Sequence, residues 1–292
     1  MSTRRSLTSP STVARLADVP GSERYERFMA LHTREGGFVM PNAWDGLSTQ
    51  VLADAGFEAI ATSSYALAAS LGRLDGRHQV TRDEHLAHAG LLSRLTDLPV
   101  NGDFEDGYGN TPEDIAATVN AAVEHGLAGI GIEDTSGDPD RPIRDFDEAV
   151  ARVRASVAAA KGRIVVTGRA DNYLHGRPDL DDTIRRLTAF AEVGADVVYA
   201  PYPSDLDALG AIVTAVAPTP VNVLISPADA VLTVAELRAI GVKRISLGPA
   251  LYAHAMGALD EAVGALVRGD LATATTGMDF GRIDALLGRG AR

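Results

Sequence analysis

A (β/α)8 barrel is the fold this sequence predicts, on three observations. Eight short apolar runs alternate with longer Ala- and Leu-rich stretches of helical spacing, with no break in composition. The runs are apolar on both faces, as strands of a parallel sheet covered by helices must be. No glycine-rich dinucleotide fingerprint opens the series: the nearest approach, Gly107-Tyr108-Gly109, lacks a third glycine and runs into Thr111-Pro112. An open doubly wound sheet is the rival architecture, and the missing fingerprint favours closure.

Taken in order, residues 1–21 are rich in Ser, Thr, Arg and Pro, lack an apolar signal-peptide core, and read as a flexible tail. Residues 22–292 read as one barrel domain with an extra C-terminal helix. A helix over Glu23–Glu35 leads into the first run, Phe38–Met40. The others are Ala59–Thr62, Pro99–Asp103, Ala128–Glu133, Ile164–Arg169, Asp196–Tyr199, Val221–Ile225 and Arg244–Leu247. Helical spacing covers Gly46–Ala55, Arg82–Leu95, Pro112–Glu124, Asp145–Ala160, Leu180–Glu192, Asp205–Ala215, Val234–Ile240 and Pro249–Arg268, with the extra helix at Gly281–Leu287. Thr111-Pro112-Glu113 starts a helix with an N-cap and a proline in the first turn, while Gly126, Gly194 and Gly241 stop theirs.

Composition narrows the chemistry. With no Cys, disulfides, thiolate zinc sites, iron–sulfur clusters and thiol catalysis are excluded. A net charge of −12 speaks against a nucleic-acid or anionic-membrane surface. No stretch approaches a membrane span, and a cytoplasmic location is expected. Only two lysines occur, Lys161 at a helix end and Lys243 before the eighth run. Neither stands at a strand end facing the barrel mouth, so imine chemistry is disfavoured and a metal must withdraw the electrons instead.

In such a barrel the reactive groups sit at the C-terminal strand ends. The third strand ends in Asn101-Gly102-Asp103-Phe104-Glu105-Asp106, the fourth in Ile132-Glu133-Asp134, and the fifth in Gly168-Arg169-Ala170-Asp171. Asp103 and Glu105 stand two apart, which in an extended chain points them to one side. Clustered carboxylates repel unless a cation compensates, and an oxygen-only set suits Mg²⁺, with Mn²⁺ as the alternative. Arg169 offers a fork for a substrate carboxylate or phosphonate, or an ion pair with Glu133 or Asp171. Thr62-Ser63-Ser64-Tyr65 reads as a turn able to hold a ligand carboxylate, followed by Gly72 and Asp75. Asn222 could offer its amide to a ligand. His85 and His88 read as helix-surface residues, and His175 as a loop residue near the mouth.

These residues make the chain recognisable: from about Phe38 to Val267 it resembles the phosphoenolpyruvate mutase/isocitrate lyase superfamily. The anchors are Pro41-Asn42-Ala43-Trp44-Asp45, Thr62-Ser63-Ser64, Ser70-Leu71-Gly72, Asp103 through Gly109, Ile132-Glu133-Asp134, Gly168 through Asp171, and Ser246 through Leu251. The resemblance implies that Asp103 and Glu105 hold Mg²⁺, largely through water, with Glu133 and Asp75 as further acidic members of that site. It implies that Ser63, Ser64 and Tyr65 hold an α-oxo carboxylate, that Trp44 and Asp45 line the pocket, and that Arg169 contacts substrate. It further implies lyase chemistry beside an α-oxo or α-hydroxy acid through a metal-stabilised enolate, and a homotetramer of dimers that exchange the eighth helix. C–P bond chemistry of the phosphonopyruvate type, or ligand binding without turnover, are the alternatives. One departure stands out: the loop Thr135–Pro142 carries none of the Lys, Cys or His that superfamily lyases use there. The proton donor is left among Tyr202, His175 and Asp138.

Overall fold

The apolar runs become eight strands: β1 (Phe38–Met40), β2 (Ile60–Ala61), β3 (Val100–Asp103), β4 (Gly129–Glu133), β5 (Val165–Arg169), β6 (Val197–Tyr199), β7 (Val221–Leu224) and β8 (Arg244–Ser246). The computed structural model describes residues 22–203, 205–225 and 232–290, so the expected tail over residues 1–21 lies outside the described residues. All pairings are parallel, in the order β1-β8-β7-β6-β5-β4-β3-β2. The ring closes through a parallel bridge between Asn42 and Ala61, where the Ala61 N–H donates to Pro41 O at 2.9 Å and the Ala43 N–H to Ala61 O at 2.8 Å. This bridge joins the two ends of the sheet, β1 and β2, among the described residues.

Around the strands run α1 (Ser22–Thr33), α2 (Gly46–Asp54), α3 (Ser64–Ser70), α4 (Arg82–Arg94), α5 (Pro112–Glu124), α6 (Phe146–Ala160), α7 (Leu180–Glu192), α8 (Leu206–Val216), α9 (Val234–Ala239), α10 (Ala250–Val267), α11 (Leu271–Ala274) and α12 (Phe280–Gly290). Local chemistry sets their starts. Thr111 accepts from the Asp114 N–H while the Asp114 carboxylate accepts from the Thr111 N–H, and Thr81 and Glu84 do the same for α4. At the other ends, Gly126, Gly194 and Gly241 take positive φ and turn the chain into the next strand.

The core wraps the barrel wall. Ile130, Ile132, Val166 and Phe104 pack with residues of α4 and α5 on one side, and Val198, Val223, Ile245 and Phe190 with α7, α8 and α9 on the other. Below, α1 lies across the N-terminal end of the barrel, where Phe28 and Leu31 pack on Phe38, Val165 and Val197, the first residues of their strands. Outside, α10 buries only Ala265 and leaves Leu259, Val263 and Leu266 about half exposed. Two elements depart from the expected pattern. Ser63-Ser64-Tyr65 is not a bare turn: Ser63 caps α3 by accepting from the Ala66 N–H, and the helix starts at Ser64. The short α11 has no counterpart in the helical spacing of the sequence.

Candidate active site

Two adjoining cavities open at the C-terminal strand ends. The inner one, about 150 Å³, reaches from Ser63, Ser64, Asp75, Asp103 and Arg169 down to Asn222, Arg244 and Ser246. The outer one, about 590 Å³, is a vestibule walled by Glu105, Glu133, Asp138 and His175, and it shares Tyr65, Asp75 and Arg169 with the first.

Asp103 ends β3 and is fixed from the neighbouring strand end. Its Oδ2 accepts from both the Ser64 N–H and the Ser64 hydroxyl at 2.9 Å, and its own N–H donates to Thr62 Oγ1 at 2.8 Å. The first turn of α3 thus spends one amide and one hydroxyl on orienting a carboxylate. Its other oxygen, Oδ1, lies 3.9 Å from Arg169 Nη1. Arg169, at the end of β5, forms an ion pair with Glu133 Oε1 at 2.6 Å from Nη1 and donates through Nε to Asp171 Oδ1 at 2.7 Å, and its guanidinium lies 5.2 Å from the Tyr199 ring centre. Burial opposes this charge, but Asp171 and Glu133 outweigh it and hold Arg169 firmly protonated. Both ion pairs foreseen for Arg169 therefore form, and the side chain still lines both cavities.

Glu105 corrects the simple alternation. The strand ends at Asp103, and Glu105 takes φ +47°, so the two carboxylates do not share one extended face. Glu105 turns to the vestibule, accepts from the Tyr108 hydroxyl at 3.2 Å, and lies 3.7 Å from His85 Nε2 and 3.9 Å from His78 Nε2. Between them, Phe104 folds under the strand, where it lies so close to Gly102 that a Cβ there would meet its ring at 2.2 Å. Asp75, from the loop after α3, has a buried Oδ1 without a hydrogen bond. Burial, then the Asp103 charge, pushes Asp75 up to about 6, and burial followed by Asp75 pushes Glu105 up to about 7.

This donor set fits a hard cation: oxygens only, mutually repelling, with one buried carboxylate oxygen unpartnered. Among the described residues no three acidic or histidine side chains converge at direct ligating distance. Asp75, Asp103, Glu105 and Glu133 are the residues that could hold such a cation, with water between.

Other expected residues sit elsewhere. Asp45 accepts from the Ser48 N–H at 2.7 Å and caps α2, and Trp44 stacks edge-on against Tyr252 of α10 at 5.7 Å; neither lines the two cavities. Asn222 reaches the inner cavity, but its amide donates to Ser246 and accepts from Arg244. His85 is buried, not on the surface: its ring faces the Asp103 carbonyl at 3.2 Å, and burial lowers it to about 4. Sequence reasoning passed over His78, which joins the mouth loops by contacting Asp106 Oδ1 at 3.1 Å, and over Tyr199 and Arg244. No sequence signal marks these three, because a loop histidine and strand residues of mixed type acquire meaning only from register.

Comparison with known proteins agrees with this geometry. The profile of the phosphoenolpyruvate phosphomutase family matches residues 28–267. A solved chain of Burkholderia cenocepacia J2315, provisionally named a lyase/mutase, is 42% identical with a TM-score of 0.86, over 91% of this chain and 95% of that one. An oxaloacetate decarboxylase of Paraburkholderia xenovorans (strain LB400) is 31% identical over 271 residues, covering 89% of this chain and 84% of its own. An oxaloacetate acetylhydrolase, solved with its product oxalate, is 26% identical with a TM-score of 0.82, over 93% of this chain and 96% of that chain. With the barrel, the strand-end carboxylates and these matches in agreement, the chain belongs to the phosphoenolpyruvate mutase/isocitrate lyase superfamily.

Proposed function

We propose that this protein is a Mg²⁺-dependent lyase that cleaves a C–C bond beside an α-oxo carboxylate, with decarboxylation of an oxaloacetate-like acid as its simplest form. The observation that carries this reading is the Asp103 carboxylate, locked by the Ser64 amide and hydroxyl and aimed at the cavity that Arg169 also lines. Asp103, Glu105 and Glu133, with Asp75, would hold the hydrated cation. When bound, it supplies Lewis-acid polarisation of the α-oxo group. The relatives that act on oxaloacetate support the substrate class, and the exposed apolar face of α10 supports the helix-exchanged assembly.

The chain's own residues do the rest. Tyr65 and Ser63 line the mouth where a substrate carboxylate enters. As the C–C bond breaks, its electron pair moves toward the α-oxo group, and the Arg169 guanidinium stabilises the charge that develops on oxygen. Carbon dioxide leaves, and the remaining carbon takes a proton from a group at the cavity wall. Tyr202, which lines the inner cavity, and His175 and Asp138, which line the vestibule, are the candidates for it. The loop Thr135–Pro142 contributes no Lys, Cys or His, which fits a reaction that needs no dedicated thiol acid.

The test is turnover of oxaloacetate with and without Mg²⁺ by wild type and Asp103→Ala. Wild type should turn over only with the divalent cation, and the variant should lose on the order of 100–1,000-fold in kcat/KM. Unchanged cation-dependent turnover in the variant would overturn the assignment.

A further inference from the structure

One ladder of paired residues crosses half the barrel: Arg169 on β5 pairs with Tyr199 on β6, Tyr199 with Asn222 on β7, and Asn222 with Arg244 on β8. Arg169 is the last residue of its strand and Arg244 the first of its own. Because barrel strands are staggered, this single register row descends from the mouth to the floor. All four side chains line the inner cavity.

At the foot of the row, Arg244 is almost fully buried, at 2% exposure, and no carboxylate pairs with it among the described residues. Its acceptors are all neutral. Nε donates to Asn222 Oδ1 at 2.8 Å, Nη2 to Thr167 Oγ1 at 3.0 Å, and Nη1 meets His32 Nε2 at 3.3 Å. His32 in turn donates from Nδ1 to Phe28 O at 2.8 Å, which leaves its Nε2 lone pair for the guanidinium and keeps the ring neutral. Three neutral acceptors orient the fork while none cancels its charge. A guanidinium carries five donor hydrogens, so donors remain for a ligand on the cavity side. One step up the row, the Tyr199 ring is held against Arg169, and no described residue hydrogen-bonds its hydroxyl. A buried, uncompensated cation is expensive to keep, and an arriving anion would remove that cost.

We propose that Arg244 and Tyr199 form an anion-binding subsite at the cavity floor, which receives the distal carboxylate of the substrate. This rests on the α-oxo acid reading above and narrows it to small 2-oxo dicarboxylic acids. The acid's reactive end lies between Asp103 and Arg169, and its far end is read by a guanidinium and a phenol. Asn222 and Thr167 are positioning residues for Arg244. A monocarboxylate such as pyruvate would leave the floor unfilled.

Calorimetric titration of the Mg²⁺-loaded protein with pyruvate and with 3,3-difluorooxaloacetate, a 2-oxo dicarboxylate, tests this. Wild type is expected to bind the dicarboxylate at least tenfold more tightly than pyruvate. Arg244→Met should erase that difference and leave pyruvate binding unchanged. Tyr199→Phe removes a hydroxyl with no described partner, so it keeps the test open if the arginine variant does not fold; it should weaken the dicarboxylate alone, by about threefold to tenfold. Equal weakening of both probes, or no weakening of either, would mean that Arg244 is only a strut of the barrel interior and would overturn the subsite. Binding of neither probe by wild type would instead overturn the α-oxo acid reading, and the subsite with it.

Discussion

Around β2–β5 the mouth gathers Asp75, Asp103, Glu105 and Glu133 against Arg169, whereas the floor beneath β7 and β8 holds Arg244 with no carboxylate partner among the described residues. The two regions carry opposite unbalanced charge, and the fold handles them differently. At the mouth, backbone amides and hydroxyls fix the carboxylates while leaving their mutual repulsion in place. At the floor, neutral Asn, Thr and His acceptors fix the guanidinium. Each arrangement costs the protein stability and keeps one charge uncancelled, as a binding site does. On the proposals above, the mouth would take a cation and the floor an anion.

This contrast can be broken from either side, because the two regions titrate with opposite sign. Asp75 is pushed up to about 6 in the folded protein, above the ordinary range of an unfolded aspartate. The native state then binds the proton more readily, and stability falls as pH rises from about 4 through 6. Replacing Asp75 by Asn should raise the stability of the metal-free protein at pH 7 by about 1–3 kcal/mol and abolish its stabilisation by Mg²⁺. Thermal melts from pH 5 to 8, with chelator and with cation, check both effects. An unchanged metal-free melting curve would show that the mouth stores no such repulsion.

The floor behaves the other way. Burial and then the Arg244 charge push His32 down to about 3. The unfolded chain therefore takes up a proton near the usual histidine pKa that the native state refuses, and stability falls as pH drops from about 6.5 toward 3. This term alone costs about 2 kcal/mol between pH 7 and pH 5. His32→Gln, which can still accept from Arg244, should flatten that acid slope, as read by denaturant melts at the two pH values. An unaltered slope would place the acid sensitivity elsewhere.

The smallest effect separates the mouth from its surroundings. Asp45 caps α2 and joins a reciprocal capping box with Ser48. Asp45→Ala should cost about 1 kcal/mol, whereas Asp45→Asn, which retains a capping oxygen, should cost little. If Asp45→Asn nevertheless loses turnover, Asp45 belongs to the substrate site after all, as its resemblance to a pocket-lining position implies.

Much of the fold is legible in the chain alone. Strand runs such as Phe38–Met40 and helices such as Pro112–Glu124 can be read from apolar period and capping residues, because those signals are local and physical. The strand-end carboxylates are legible for the same reason: a barrel sends every strand end to one rim. The residues just past each strand end are less legible. Glu105 leaves extended geometry at a positive φ, and Ser64 begins a helix where a turn was expected.

By itself the sequence determined the barrel, its acidic rim and the exclusion of thiol chemistry, and it disfavours imine chemistry, because composition and period need no knowledge of what touches what. Only the tertiary structure decided that Ser64 clamps Asp103, that Asp45 caps a helix, and that Arg244 lies uncompensated below Arg169. These depend on register between strands far apart in sequence. A one-residue slip of β8 would turn Arg244 to the opposite face of the barrel wall, and nothing local in Arg244-Ile245-Ser246 reveals which face it takes.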